Sequence, residues 1–396
     1  MIPRAAQPTL QTLAKGFPVI ALTGPRQSGK TTLARAVFAD RAYVTLEDPE
    51  EREYATRDPR GFLARFPDGA ILDEVQRCPD LFSYLQGMVD SRRRMGDFML
   101  TGSQQFGLLA GISQSLAGRV GLVQLLPFSV AELSNSGRLP DTLDELLWRG
   151  GYPALYDRLL APAHWFPNYA TTYLERDVRQ LLAVRDLGLF QRFIKLCAAR
   201  TGQLLNLSAL AADCGISHVT AREWLTVLEA SYIVFLLPPY HRNFGKRLVK
   251  TPKLYFLDVA FAAWLLGIRD AATLNTHAQR GALFETLVVG ELVKQRFNAG
   301  LPADLYFWRD NTGHEVDLLF EKDGKLQAIE IKSGATFAGD WLNAVNKWQS
   351  FAKEDALPPW IIYGGEQSYR REAVEVIGWR GLGTIIMGCP AQAAVS

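Results

Sequence analysis

The stretch Gly24-Pro25-Arg26-Gln27-Ser28-Gly29-Lys30-Thr31 has the spacing G-x-x-x-x-G-K-[ST], which suits a loop that wraps phosphate. Glycines let backbone N–H groups curl around a β-phosphate, and a helix starting at the loop's end adds the positive end of its dipole. Lys30 is then placed for the β- and γ-phosphates, and Thr31 offers its hydroxyl to Mg²⁺. Thr32 carries the chain into the helix, so residues 24–32 form the nucleotide-binding candidate set. The bland alternative is a glycine-rich turn that binds nothing.

A phosphate loop needs acidic partners. The apolar run Ala70-Ile71-Leu72 leads directly into Asp73-Glu74. Asp73 suits a Mg²⁺ held through water, and Glu74 suits orientation and deprotonation of an attacking water. Further on, Leu100-Thr101-Gly102-Ser103-Gln104 is an apolar run with a polar end. Ser103, with Gln104 second, is the candidate to read a γ-phosphate; an ordinary turn is the other reading. Arg119 is the candidate cation for the phosphoryl-transfer transition state, from its own chain or a neighbour's in a homo-oligomer. An exposed structural arginine is the alternative.

A third group lies in the last third of the chain. Glu330 and Lys332 are two apart on an expected strand, so both point to one face, and Asp317 on the paired strand can reach that face. Two carboxylates and a lysine on a hairpin suit metal-dependent phosphodiester hydrolysis, the acids holding Mg²⁺ and the lysine steadying charge. Glu285, on an otherwise apolar helix, is a further candidate ligand. A cross-strand Asp–Lys salt bridge is the competing reading.

The elements that must position these groups are legible in the apolar periodicity. Val19-Ile20-Ala21-Leu22 reads as a strand before the loop, and Thr32 to Phe38 as a helix after it. Strands at Ala42 to Leu46, Ala70 to Leu72, Asp97 to Leu100 and Val120 onward alternate with helical stretches, which predicts a parallel sheet covered on both faces. Residues 136–200 read as a helical lid. Then Leu207 to Ala211, a turn at Cys214-Gly215-Ile216-Ser217, a helix from His218 to Ala230 and a strand to Leu237 read as a winged helix-turn-helix. Strands at Tyr306 to Arg309, His314 to Phe320 and Gln327 to Ser333, with an Asp323-Gly324 hairpin turn, complete the pattern.

Ser217, His218, Thr220 and Arg222 are the candidate DNA contacts of that helix-turn-helix; Glu223 and Glu229 speak for a protein-packing module instead. Residues 241–253 are basic without any acid and carry Phe244, which suits phosphate-backbone contact as well as a solvated loop. The net charge of +2 gives no global field, so any nucleic-acid surface is local. Cys78, Cys197, Cys214 and Cys389 form no C-x-x-C pair, which argues against zinc or a disulfide framework and fits a reducing cytoplasm. No apolar run is long enough to span a bilayer, so no membrane partner is expected.

Taken together, the phosphate loop, Leu46-Glu47-Asp48-Pro49, Ile71-Leu72-Asp73-Glu74-Val75-Gln76, Leu100-Thr101-Gly102-Ser103, Ser115-Leu116-Ala117-Gly118-Arg119, Leu126-Pro127-Phe128-Ser129 and Lys250-Thr251-Pro252-Lys253-Leu254-Tyr255-Phe256-Leu257-Asp258 resemble the prokaryotic AAA-type P-loop ATPases with a C-terminal domain of unknown function, relatives of the archaeal ATPase and STAND groups. Glu315-Val316-Asp317 with Glu330-Ile331-Lys332 is similar to the PD-(D/E)XK nuclease superfamily. The resemblance implies an α/β fold: a P-loop NTPase parallel sheet with a helical lid, a winged helix-turn-helix and a nuclease-like α/β domain. The boundaries expected are 1–135, 136–200, 201–260 and 261–396. It implies Mg²⁺-dependent ATP hydrolysis through Lys30, Thr31, Asp73 and Glu74, with Ser103 as sensor and Arg119 as finger. DNA is the macromolecular partner expected. An ATP-gated nuclease and a non-catalytic nucleotide-dependent switch are the rival readings.

Overall fold

The computed structural model describes residues 2–102, 108, 111–112, 114–173, 186–240 and 249–385. The chain divides into two compact units, one of residues 1–128, 230–232 and 296–302, the other of 129–229, 233–295 and 303–396. The lid, helix-turn-helix and C-terminal stretches expected as three domains fall in the second unit, apart from residues 230–232 and 296–302.

The first unit is built on five strands: β1 (Val19–Thr23), β2 (Ala42–Thr45), β3 (Ala70–Asp73), β4 (Phe98–Gly102) and β5 (Val120–Gln124). They lie in the order β2-β3-β4-β1-β5, every pair parallel. The apolar runs are strands because both faces are covered. Alternate residues feed opposite cores: Val19, Ala21, Leu72, Phe98 and Leu100 pack with Phe62, Leu63 and Leu85. Ile20, Leu22, Ile71 and Met99 pack instead with Leu10, Leu33 and Val123. In an all-parallel sheet the C-terminal ends of the strands share one edge. Gly24 after β1, Asp73 at the end of β3 and Gly102 at the end of β4 therefore meet there, and β4 stands between the other two.

In the second unit, helices Leu207–Cys214 and His218–Ala230 flank a turn at Gly215, whose φ of +78° suits glycine. Strands β6 (Gln203–Leu204), β7 (Val234–Leu237) and β8 (Lys253–Phe256) form an antiparallel sheet in the order β6-β8-β7. A second sheet holds β9 (Leu305–Arg309), β10 (Glu315–Lys322), β11 (Lys325–Lys332), β12 (Trp360–Tyr363), β13 (Tyr369–Arg371) and β14 (Val374–Gly378), in the order β13-β14-β12-β11-β10-β9. The hairpin between β10 and β11 turns at Asp323 and Gly324, with φ of 54° and 74°. Trp308, Val316, Leu319, Ala328 and Trp348 form the core beneath it. None of the described helices is long and apolar enough to cross a membrane.

Candidate functional sites

The phosphate loop owes its shape to two glycines. Gly24 has φ +146°, and a Cβ there would lie 2.1 Å from the Leu125 carbonyl oxygen. Gly29 has φ +93° and is the N-cap of the helix Lys30–Val37 without any side-chain cap. The first N–H groups of that helix are therefore not claimed by a capping side chain. The buried Ser28 hydroxyl has no hydrogen-bond partner among the described residues. Arg4, also buried, braces the loop from behind by donating to the carbonyls of Ser28 and Leu126, each at 2.6 Å, with its guanidinium 4.8 Å from the Phe128 ring.

Lys30 is 7% exposed, and its ammonium donates to the carbonyls of Gly24 at 3.0 Å and Pro25 at 2.8 Å. The loop thus holds its own lysine. Beside it, Thr31 donates to Asp73 Oδ2 at 3.1 Å. Asp73 also accepts from the Tyr43 hydroxyl at 2.7 Å and from Thr101 through Oδ1. Burial, and then the hydrogen bond to Asp73, push the Tyr43 phenol well above its ordinary range, so it stays a donor. Glu74 follows in the left-handed region, φ 55°, and accepts from the Gln76 amide at 2.5 Å. A non-glycine residue held there marks a position fixed by its surroundings. Gly102 leaves the room: a Cβ on it would stand 2.5 Å from the Gln76 side-chain oxygen.

The loop, Thr31, Asp73 and Glu74 are thus brought to one edge of the sheet. Thr32 faces solvent on the first helical turn. Ser103 and Gln104 lie outside the described residues. Arg119 does not join them. It immediately precedes β5, and its carbonyl accepts from Val19 N at 3.2 Å, so it stands at the opposite, N-terminal edge. Its guanidinium grips Asp90 with two bonds, at 2.6 and 2.9 Å. Five strand residues, about 16 Å, separate that edge from the loop, so a role at its own chain's phosphates is ruled out. Sequence reasoning passed over Tyr43, Thr101 and Arg4. A threonine inside the apolar β4 was the available signal for one of them.

The third group also assembles. β10 carries a bulge: Val316 pairs with Trp308 and Leu319 with Tyr306, so one extra residue sits on β10 around Asp317. Asp317 Oδ2 accepts from the Ile331 backbone N–H at 2.8 Å. Glu330 Oε1 meets the Lys332 ammonium at 2.5 Å, while its buried Oε2 has no partner among the described residues. Burial first, then the charge of Asp317, raise Glu330 to about 8.

Two expectations are corrected here. Lys253 ends the basic stretch 241–253, yet it is 3% exposed and pairs with Glu285 at 3.0 Å and Glu315 at 2.5 Å. A buried, doubly paired lysine cannot contact a nucleic-acid backbone. Residues 241–248 lie outside the described residues. Glu285 is no bare metal ligand either: its Oε1 accepts from Lys253 and from the Tyr255 hydroxyl. Among the described residues, no group of three or more His, Cys, Asp or Glu side chains is arranged to hold a metal. Of the candidate DNA contacts, His218 and Arg222 are exposed, whereas Ser217 spends its hydroxyl capping the helix His218–Ala230 at Thr220 N, 3.0 Å. Glu229 is half-buried, and burial alone raises its carboxyl to about 7.

Three family descriptions match the chain: an AAA domain over residues 16–134, and domains of unknown function, DUF8612 and DUF4143, over 140–272 and 280–382. Two uncharacterized proteins, Rv2008c of Mycobacterium tuberculosis and Mb2031c of Mycobacterium bovis, are each 35% identical over 337 residues, 84% of this chain and 74% of theirs. Among solved structures, the Walker-type ATPase paby2304 of Pyrococcus abyssi is 16% identical at a TM-score of 0.42, over 67% of this chain and 96% of that one.

Proposed function

We propose that this chain, which belongs to the same family as the two mycobacterial proteins and carries an AAA domain, is a cytoplasmic ATPase that hydrolyses ATP with Mg²⁺ and has DNA as its macromolecular partner. One observation carries the catalytic part. The Thr31 hydroxyl stands on the Asp73 carboxylate at the same sheet edge as Lys30 and an uncapped helix N-terminus. A hydroxyl and a carboxylate already in hydrogen-bond contact fit a hexacoordinate ion that keeps most of its waters. Bound there, Mg²⁺ would supply charge neutralisation at the β- and γ-oxygens.

The chain's own residues do the rest. Lys30 exchanges the Gly24 and Pro25 carbonyls for phosphate oxygens when ATP arrives, and the Ser28 hydroxyl gains an acceptor. Thr101 and Tyr43 hold Asp73 against rotation. Glu74, oriented by Gln76, takes the proton of the attacking water. DNA contact rests on the exposed His218 and Arg222 of a winged helix and on the described Lys250, also exposed. Glu229, with its carboxyl raised to about 7, repels phosphate less than its residue type suggests.

Phosphate release, with and without duplex DNA at several salt concentrations, tests the reading. Turnover should vanish in Lys30→Ala, and DNA stimulation should fade as salt rises. Unchanged turnover in Lys30→Ala would remove the assignment. A second reading, metal-dependent phosphodiester hydrolysis at the β10–β11 hairpin of a nuclease-like domain, is favoured by the buried, unpartnered Glu330 Oε2 beside Asp317 and Lys332.

A further inference from the structure

Lys253 begins β8, and its ammonium is enclosed on several sides. Glu315 Oε1 lies at 2.5 Å, Glu285 Oε1 at 3.0 Å and the Phe307 ring centroid at 5.6 Å. Tyr255, two residues on and so on the same face of β8, donates its hydroxyl to the same Glu285 oxygen. Arg309 takes the other Glu315 oxygen at 3.0 Å. Lys332 takes Glu330 Oε1, and the Ile331 N–H takes Asp317 Oδ2. Lys253 thus takes one oxygen of Glu285 and one of Glu315, while Glu330 Oε2 is buried with no partner among the described residues. Acidic side chains from a helix and the hairpin come together here, but the space between Glu285 and Glu315 already holds a cation that belongs to the chain.

We propose that Lys253 is a built-in counter-ion occupying the place a divalent metal ion would take between Glu285 and Glu315. The hairpin is then closed to such an ion at these two residues unless Lys253 is withdrawn. This starts from the same carboxylate hairpin as the second reading above but does not require that it cut, and it is independent of the ATPase reading. An ammonium and a divalent ion cannot share the same carboxylate oxygens, since each needs them at contact distance and the two repel. Lys253 also differs from Lys332 in kind. Lys332 is one-third exposed and sits on a single carboxylate, whereas Lys253 is buried and bridges two from different elements.

Mn²⁺ binding by the full, nucleotide-free chain tests this, read by electron paramagnetic resonance. Lys253→Met should bind Mn²⁺ about tenfold tighter than the parent, and Lys253→Met/Glu285→Gln should lose the gain. Glu285→Gln alone should leave the parent's Mn²⁺ affinity within about twofold, because Lys253 already holds that carboxylate. A cooperatively folded Lys253→Met with no gain would overturn the proposal. Should that variant not fold, Glu285→Gln alone decides: a fall of about tenfold makes Glu285 a metal ligand and the proposal wrong. Absence of DNA cleavage by the parent together with tighter Mn²⁺ binding by Lys253→Met would refute the nuclease reading and leave this one standing.

Discussion

Thr101→Val isolates what holds the Asp73 carboxylate. The two side chains are nearly isosteric, Thr101 is wholly buried, and its hydroxyl donates to Asp73 Oδ1. Valine keeps the shape of β4 and deletes only the donor. Asp73 is left with Thr31 and Tyr43, both on Oδ2, so it is anchored from one side. A hydrogen bond to a charged group is worth about 1.5–3 kcal/mol, and leaving a buried acceptor short costs a similar amount. If the carboxylate must keep its orientation in the transition state, that range lowers turnover by about ten- to a hundred-and-fifty-fold. The same loss should lower the unfolding midpoint by about 3 °C for each kcal/mol in a unit of this size. The assay is steady-state phosphate release beside equilibrium binding of a fluorescent ATP analogue. The expected result is a fall in kcat, with nucleotide affinity within about threefold of the parent because the loop and Lys30 are untouched. Thr101→Ser, which keeps the hydroxyl, should recover most of the rate. Parent-like turnover in a folded Thr101→Val would mean that Thr31 and Tyr43 alone position Asp73, and the role given to β4 would be wrong.

Two more outcomes follow from the geometry. Because Arg119 stands at the far edge of its own sheet and grips Asp90, Arg119→Ala should turn over ATP at the parent rate wherever sedimentation shows only monomer. A slower rate in that monomer would refute its placement. Burial lifts Glu229 from its unfolded value near 4.5 to about 7, so between those values the folded chain binds the extra proton. Its contribution is present below the unfolded pKa and is lost as pH rises through 7. Glu229→Gln should therefore show a smaller drop in denaturation midpoint between about pH 5 and about pH 8 than the parent, and an equal drop would show that Glu229 does not carry the effect.

What the chain's sequence made legible was whatever depends on neighbours within a few residues. The loop, its flanking strand and helix, and the Asp323-Gly324 turn are local: positive φ, short apolar runs and helical spacing are written in consecutive residues. The acids at the end of β3 were readable because parallel topology returns every strand end to one edge, a rule that holds before any distance is known. Contacts set by sheet order were not readable. Nothing in Ala42-Tyr43-Val44 says that β2 lies beside β3, so the Tyr43 hydroxyl could not be assigned to Asp73. The error at Lys253 has the same origin. In sequence it closes a run of basic residues, and its nearest acid on either side is Asp258. In the fold its partners are Glu285 and Glu315, 32 and 62 positions further on, brought to it by β8, a helix and a bulged hairpin. Charge runs are thus weak evidence for a surface wherever one end of the run begins a strand. The first strand residue can point inward, and a lysine that does so must find carboxylates there or lose its charge. Lys253 has found two, and they raise its affinity for its proton above the ordinary lysine range despite burial, which alone would lower it.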